Sequence, residues 1–365
     1  MFRGIVFFLN LVAIGLLLLA YLAYHVRPST IPYIAFAGLA YPFILAANLV
    51  FIVFWLLVRV RYAIIPFIIV MAGWNHIGRL IQFKGEAMDE TVEAPVKILS
   101  YNLQNFLKIN TSTTKYVTSF KNEEDIKNFL KKEDAGIVCL QEVLHDRENQ
   151  KTFVKNLAVL LNCPNYHHIN YFTSNKDVLD AIVTLTRYPV TGKGELEYED
   201  KSIGIYTDLI IMKDTVRVYN LHLASIHFKK EDYDFWSEMS NTQEQEKLRA
   251  GTRKILSKMQ AAFLKRAGQA DMLTGHIASS PYPVIICGDF NDTPSSYTYH
   301  RLSQGLCDAF AESGSGLGIT YAGEFFPSFR IDYILYDPTY RSGSFRRHKI
   351  PYSDHYPITT YLYRD

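Results

Sequence analysis

The first 84 residues carry Arg3, Arg27, Arg59, Arg61, Arg79 and Lys84 but no aspartate or glutamate. A water-exposed surface is rich in charge of both signs, so this stretch is built for another solvent. Two apolar runs dominate it, Ile5 to Val26 and Tyr33 to Val58, interrupted by little more than Asn10, His25, Pro42 and Asn48. Each is long enough to cross a bilayer core as a helix. A shorter run, Ala63 to Trp74, extends to Leu80 at most and suits a third span or a re-entrant segment. A cleavable signal peptide is the alternative for the first run. That run is too long for a typical signal core, and a second span follows it. The expected organisation is a membrane anchor over 1–81 with two or three transmembrane helices, a polar linker over 82–95, and a second domain over 96–365.

Removing the six basic residues of the anchor leaves 32 Lys and Arg against 36 Asp and Glu, a net charge of −4 beyond residue 84. A domain that depends on nonspecific nucleic-acid binding carries a basic excess, because phosphate contacts dominate that affinity. Here the excess is absent. Cys139, Cys163, Cys287 and Cys307 show no metal-ligand spacing and are expected as free thiols.

Beyond residue 95 the same layout recurs: a buried strand ends, and a polar side chain follows. Pro283 to Ile286 runs into CGDFND (287–292), IVCL (137–140) into Gln141 and Glu142, and ILSY (98–101) into Asn102. His222 lies in VRVYNLHLAS (216–225), and RIDY (330–333) and SDHYP (353–357) complete the series. Acidic groups at the ends of several strands are what a divalent cation and a phosphate require. Strand patterns cover 96–102, 137–142, 181–186, 205–212, 215–223, 283–288, 331–336 and 358–363. Helical patterns cover Asn122 to Lys132 and Asn241 to Ser279, the second with breaks expected at Gly251 and Gly268. Strands mixed with helices in this order suit an α/β arrangement of two packed sheets covered by helices.

In order and spacing, these motifs resemble the endonuclease/exonuclease/phosphatase superfamily of metal-dependent phosphohydrolases over roughly residues 95–365. That superfamily includes deoxyribonuclease-I-like nucleases and neutral sphingomyelinases. The resemblance implies a four-layer α/β/β/α sandwich with the active site at one edge, here preceded by the transmembrane helices. It also implies that Glu142 ligates a metal.

Each motif residue then has an expected task. Glu142, Asn102 and Asp354 form the metal set for Mg²⁺, with Mn²⁺ as the alternative hard cation. Asp289 orients or deprotonates the attacking water, and Asn291 donates to a phosphoryl oxygen. His355 contacts the phosphate, Asp332 orients His355, and His222 approaches from the opposite side. Arg330 pairs with a carboxylate, and Arg187 is structural. His145, His167 and His168 match no motif and are expected at the surface. The aromatic stretch Ile226 to Trp236 is a substrate lid, a membrane contact or a loop packed on the long helix.

These readings converge on a membrane-anchored phosphodiesterase acting on a lipid or small phosphodiester. The alternatives are a membrane-tethered nuclease cleaving DNA or RNA, and an inert membrane module. The intact Glu142, Asp289, Asp354 and His355 argue against the last. With three spans, clustered Arg59 and Arg61 favour a cytoplasmic loop. The second domain is then expected outside a plasma or inner membrane, in a periplasm-like compartment where one exists.

Overall fold

The computed structural model describes residues 2–88, 91–92, 94–104, 123–143, 145–146, 152–172, 178–211, 213–226, 228, 231–232, 234–235, 245–321, 323 and 328–364. The chain forms two compact units, neither contiguous in sequence. One comprises Met1–Ile81, Ala224–Asp271 and Asp292–Gln304, and the other Gln82–Leu223, Met272–Asn291 and Gly305–Asp365.

In the first unit, helix α1 (Phe2–His25) and helix α3 (Tyr41–Val58) are each long and apolar enough to cross a membrane. Between them lies the short α2 (Ile34–Leu39). The third apolar run forms two helices, α4 (Ile64–Ala72) and α5 (Trp74–Leu80), which together with the 3₁₀ turn at Val60 make one segment bent by 64°. The two asparagines of the apolar runs lie between helices. Trp55 Nε1 donates to Asn10 Oδ1 at 3.0 Å, and Asn48 Nδ2 donates to the Ala13 carbonyl at 3.0 Å. Interhelical bonds of this kind hold apolar helices together where water exclusion contributes little. Around them Leu17, Ala20, Tyr41, Leu45, Ile52 and Val70 form the bundle core. The outward faces stay apolar: Phe8, Val50, Leu57 and Phe67 are all exposed.

The rest of the first unit packs at the end of the bundle where α1 finishes. Tyr24 meets the rings of Tyr299 and His300, Phe36 meets Phe263 edge-on at 5.2 Å, and Arg27 pairs with Asp271 at 3.1 Å. Phe263 and Asp271 belong to the long helix α8 (Gln245–Ala278), which follows α6 (Glu123–Glu133) and α7 (Phe153–Leu160) in the chain. It runs unbroken through Gly251 and Gly268, where the sequence pattern allowed breaks. At Gly251 the missing side chain makes room for the Phe235 ring, which a Cβ would meet at 2.2 Å.

The second unit holds two mixed sheets flanked by helices. Its strands are β1 (Val96–Asn102), β2 (Ile137–Gln141), β3 (Asn165–Phe172), β4 (Val178–Thr186), β5 (Val190–Tyr198), β6 (Lys201–Ile211), β7 (Asp214–His222), β8 (Val284–Asp289), β9 (Asp332–Tyr336), β10 (Arg341–Arg347) and β11 (Ile358–Tyr363). One sheet runs β10-β11-β1-β2-β4, with β3 and the short pair His145–Asp146 also on β4. The other runs from Cys307–Asp308 through β9-β8-β7-β6-β5. The pairs β1/β2 and β7/β8 are parallel. Alternation along each strand explains the layering. Ile98, Ile137 and Cys139 point into a shared core with Val218, Ile285, Cys287 and Ile334 of the other sheet. Leu99, Tyr101, Val138 and Leu140 point outward beneath α6 (Glu123–Glu133) and α7 (Phe153–Leu160). Polar groups also cross the interface, with Gln141 Nε2 donating to Asn220 Oδ1 at 2.6 Å. All four cysteines are free thiols.

His167 and His168 are not surface residues. Both are half-buried on β3, and His167 Nδ1 lies 3.2 Å from Thr207 Oγ1. Their strand carries little apolar alternation, so its partner β4, rather than its own sequence, places it. The His145 side chain, Tyr233 and Trp236 lie outside the described residues.

Gly288 fixes how closely β7 and β8 approach. Its φ is +141°, and a Cβ there would stand 2.0 Å from the Leu221 carbonyl oxygen. Gly288→Ala is expected to destabilise the protein by roughly 3 kcal/mol, through backbone strain and forced insertion together. Gly275, within α8, has open space around it. Gly275→Ala is expected to stabilise by about 0.5–1 kcal/mol, the usual glycine penalty in a helix. Thermal unfolding of the detergent-solubilised chain checks both. Equal effects of the two substitutions would contradict this reading of Gly288.

Candidate active site

The second unit brings Asn102, Glu142, His222, Asp289, Asn291, Asp332, Asp354 and His355 to one end of its two sheets. Three lie in a single row, because in register Asp289 of β8 faces His222 of parallel β7 and Asp332 of antiparallel β9. On the other sheet Asn102 ends β1 opposite Gln141, and Glu142 follows at once. Glu142 takes a left-handed φ of 51°. Such a conformation costs a non-glycine residue roughly 1–2 kcal/mol, and strain of this sort gathers at functional sites.

Asn102 joins the two sheets. Its Nδ2 donates to Glu142 Oε1 at 3.1 Å and to Asp289 Oδ2 at 3.0 Å, while its Oδ1 accepts from the Gln104 amide. Asp289 also accepts from the Asn291 backbone amide at 2.7 Å and from Asn291 Nδ2 at 3.1 Å. The same Nδ2 donates to the Leu223 carbonyl at 3.0 Å, so in this structure the Asn291 amide serves Asp289 and the backbone. His355 Nδ1 lies 2.9 Å from Asp332 Oδ2, and its Nε2 lies 3.7 Å from Asp289 and 3.9 Å from Asp354. His222 Nε2 lies 3.3 Å from Glu142 Oε1 and 3.9 Å from Asp289 Oδ2.

Other groups support these residues. The Ser353 hydroxyl donates to the Asn102 carbonyl and accepts from the His355 amide, tying the SDHYP turn to β1. Thr320 Oγ1 accepts the amides of Ile331 and Asp332 at 3.0 Å each. Asp180 acts electrostatically on His222 from β4. Arg330 pairs with Asp308 at 2.7 Å, away from the carboxylate row, and Arg187 bonds Asp134. Asp292 belongs to the first unit, where Arg266 and Thr298 hold it.

The electrostatics follow from burying these groups together. Burial pushes Asp289 up to about 6, with the His355 charge opposing it. Burial likewise lifts Asp354 to about 6, against the pull of His355. Burial also acts on Glu142, but His222 at 3.3 Å and the Asn102 bond outweigh it and lower Glu142 to about 2. For His222, desolvation is overcome by Glu142, then Asp289 and Asp180, which raise it to about 9. His355 is held well above the imidazole range by Asp332 and Asp289 despite complete burial. Their carboxylate neighbours thus bias both rings toward the imidazolium form.

Four carboxylates surround two imidazolium ions, and the excess is negative. Ligand atoms of Asp289, Asp332 and His355 lie within 4.8 Å of one another. His355 is already hydrogen-bonded to Asp332, however, so that trio is a bonded pair beside Asp289 rather than an open donor set. Glu142, Asp289, Asp354 and the Asn102 amide oxygen are hard oxygen donors. Such donors suit a hard divalent cation rather than Zn²⁺, which prefers nitrogen and sulfur.

The sign of the pH dependence follows. Asp289 and Asp354 give up stability as pH rises through about 6, because the folded state holds their protons more tightly than the unfolded one. His222 gives up its contribution as pH rises through about 9. Glu142 opposes them only in acid, losing its contribution as pH falls toward about 2. In chelator, the melting temperature is expected to fall between pH 5 and pH 9, and divalent cation is expected to raise it more at the alkaline end. A chelated protein that gains stability across that range would contradict the assignment.

Comparison with known proteins identifies the family. The profile described as "Endonuclease/Exonuclease/phosphatase family" matches residues 99–355, more than half of the chain. A second, "Domain of unknown function (DUF8431)", matches residues 3–80. No curated protein matches the chain. Among solved structures, an endonuclease/exonuclease/phosphatase family protein from Leptotrichia buccalis is 16% identical, with 73% of this chain and 98% of that chain covered and a TM-score of 0.49. The human Nocturnin catalytic domain with bound sulfate is 15% identical, with 73% and 94% covered and a TM-score of 0.48. A mannosyl-6-phosphatase from Bacteroides thetaiotaomicron is 19% identical, with 73% and 99% covered and a TM-score of 0.46. The chain belongs to the endonuclease/exonuclease/phosphatase family, whose members are divalent-metal-dependent phosphoric ester hydrolases.

Proposed function

We propose that this protein is a membrane-spanning, Mg²⁺-dependent phosphodiesterase that hydrolyses a lipid phosphodiester. The observation that carries the reaction is the Asn102 amide, which holds Glu142 and Asp289 3.0–3.1 Å from one nitrogen across the two sheets. Glu142, Asp354 and the Asn102 oxygen would hold Mg²⁺, whose chemistry is charge neutralisation of the phosphoryl oxygens. Asp289, poised near 6, takes the proton of the attacking water as its oxygen bonds to phosphorus and the ester P–O bond breaks, the leaving oxygen taking a proton from solvent; Asn291 fixes the direction of Asp289. Cationic His355 and His222 donate to phosphoryl oxygens from two sides. The lipid substrate is supported by the apolar helices of the same chain and by the −4 charge beyond residue 84.

Contacts in the bundle support a topology with the site outside. Phe7 packs with Trp55 and Tyr62 at one end, and Tyr24 packs with His76 near the other. The chain thus leaves α5 on the side opposite Arg59 and Arg61. Clustered arginines stay in the cytoplasm, so the catalytic residues face outside.

Purified protein is expected to hydrolyse phospholipid in Mg²⁺ and to stop in chelator, with DNA and RNA as comparison substrates. Glu142→Gln should lower the rate by at least about 100-fold, the scale of a charge acting at the reacting centre. Chelator-resistant activity would overturn the metal reading, and faster nucleic-acid cleavage would overturn the lipid reading.

Asp332 acts through His355, so their losses should overlap. Asp332→Asn and His355→Ala are each expected to be severe, with the double variant little worse than the worse single. Multiplicative losses would separate the two residues. For topology, a C-terminal alkaline phosphatase fusion is expected to be active. A well-expressed but inactive fusion would place the site in the cytoplasm.

A further inference from the structure

One groove in the first unit is untouched by the hydrolytic site. It has a volume of about 630 Å³ and is lined by Tyr33, Arg249, Thr252, Arg253, Ser257 and Gln260, together with Leu248 and Leu256. Tyr33 lies in the short connection between α1 and α2, eight residues beyond the end of the first apolar helix. The groove therefore sits at the level where the chain leaves the apolar bundle.

Its other wall is one face of α8. From Lys247 to Ala270 this helix carries seven basic residues and no acidic one, in a region that is otherwise acidic. Three of the seven are neutralised: Lys254 and Lys258 by Asp232, and Arg266 by Asp292. Arg249 and Arg253 are exposed and have no carboxylate partner among the described residues. They stand four residues apart and so point the same way. Leu256 and Leu264 continue that face and are 39% and 38% exposed. Paired arginines beside exposed leucines, on a helix flanking apolar spans, match the chemistry of an acidic bilayer surface.

We infer that this groove binds the phosphate headgroup of an acidic phospholipid, with Arg249 and Arg253 on the phosphate and Leu256 and Leu264 against the acyl boundary. Thr252, Ser257 and Gln260 supply neutral hydrogen bonds, and Tyr33 closes the side facing the spans. The site is separate from the hydrolytic carboxylates and would hold a lipid without cleaving it. This inference rests on the membrane-spanning reading of α1 and α3.

The test uses the full chain in nanodiscs, with spin-labelled phosphatidylglycerol and spin-labelled phosphatidylcholine as probes. The protein is expected to immobilise the acidic lipid preferentially. Arg249→Gln with Arg253→Gln should cut that preference by about tenfold, the scale of two arginines at a charged surface. Both side chains are exposed, and an unchanged melting temperature verifies folding. Retained preference in the double variant overturns the inference. Loss of preference in inorganic phosphate, but not in chloride of equal ionic strength, assigns the groove to a free phosphate and overturns the lipid assignment. Alkaline carbonate extraction separates the two readings. Release from membranes overturns the spanning reading and this inference together, whereas retention without acidic-lipid preference overturns this inference alone.

Discussion

Buried negative charge is the constraint around which the second unit is built. Asp289 is 1% exposed and Asp332 2% exposed, and they face each other across adjacent strands. Like charges this close and this dry are tolerated only with compensation. His355 lies between them and is held toward its protonated form for that reason, and Asn102 donates to Asp289 Oδ2, the oxygen 3.7 Å from His355 Nε2. Each compensating group comes from a different strand end. The chemistry is therefore available only when both sheets are in register and packed face to face.

That dependence explains features with no direct role in hydrolysis. The Gln141–Asn220 bond crosses between the sheets one residue before Glu142, and Asn220 Nδ2 also donates to the Val183 carbonyl at 2.9 Å. Polar groups in an otherwise apolar interface fix the relative placement of its two faces, because a slip would leave them unpaired. Gly288 does the same along the strands by letting the Leu221 carbonyl approach closely. Small displacements matter here, since misplacement by about 1 Å costs an active site about 100-fold in rate.

Much of this was legible in the sequence, for a physical reason. A central strand buried on both faces reads as a short apolar run, and the first polar residue after it marks the sheet edge. Asn102, Glu142, Asp289 and the eight strand patterns were found in that way. The edge strands β5 and β10 were missed because VTGKGELEY and RSGSFRR contain glycine and charge where a central strand would not. Asp180 and Thr320 carry no local signal, and Ser353 is legible only as the first residue of SDHYP, because their roles depend on neighbours brought together only by the fold. The same holds for the first unit: nothing local in 224–271 or 292–304 announces that these stretches pack with apolar helices two hundred residues earlier.

The central claim is that the two sheets deliver one hard-cation site at their shared edge. Anomalous diffraction from crystals of the full chain grown with Mn²⁺ tests it most directly. The expected result is a strong peak in contact with the Glu142 carboxylate, between the Asn102 amide and Asp354. A fully occupied peak elsewhere in an active protein, with the Glu142 side chain free of metal, would contradict the account.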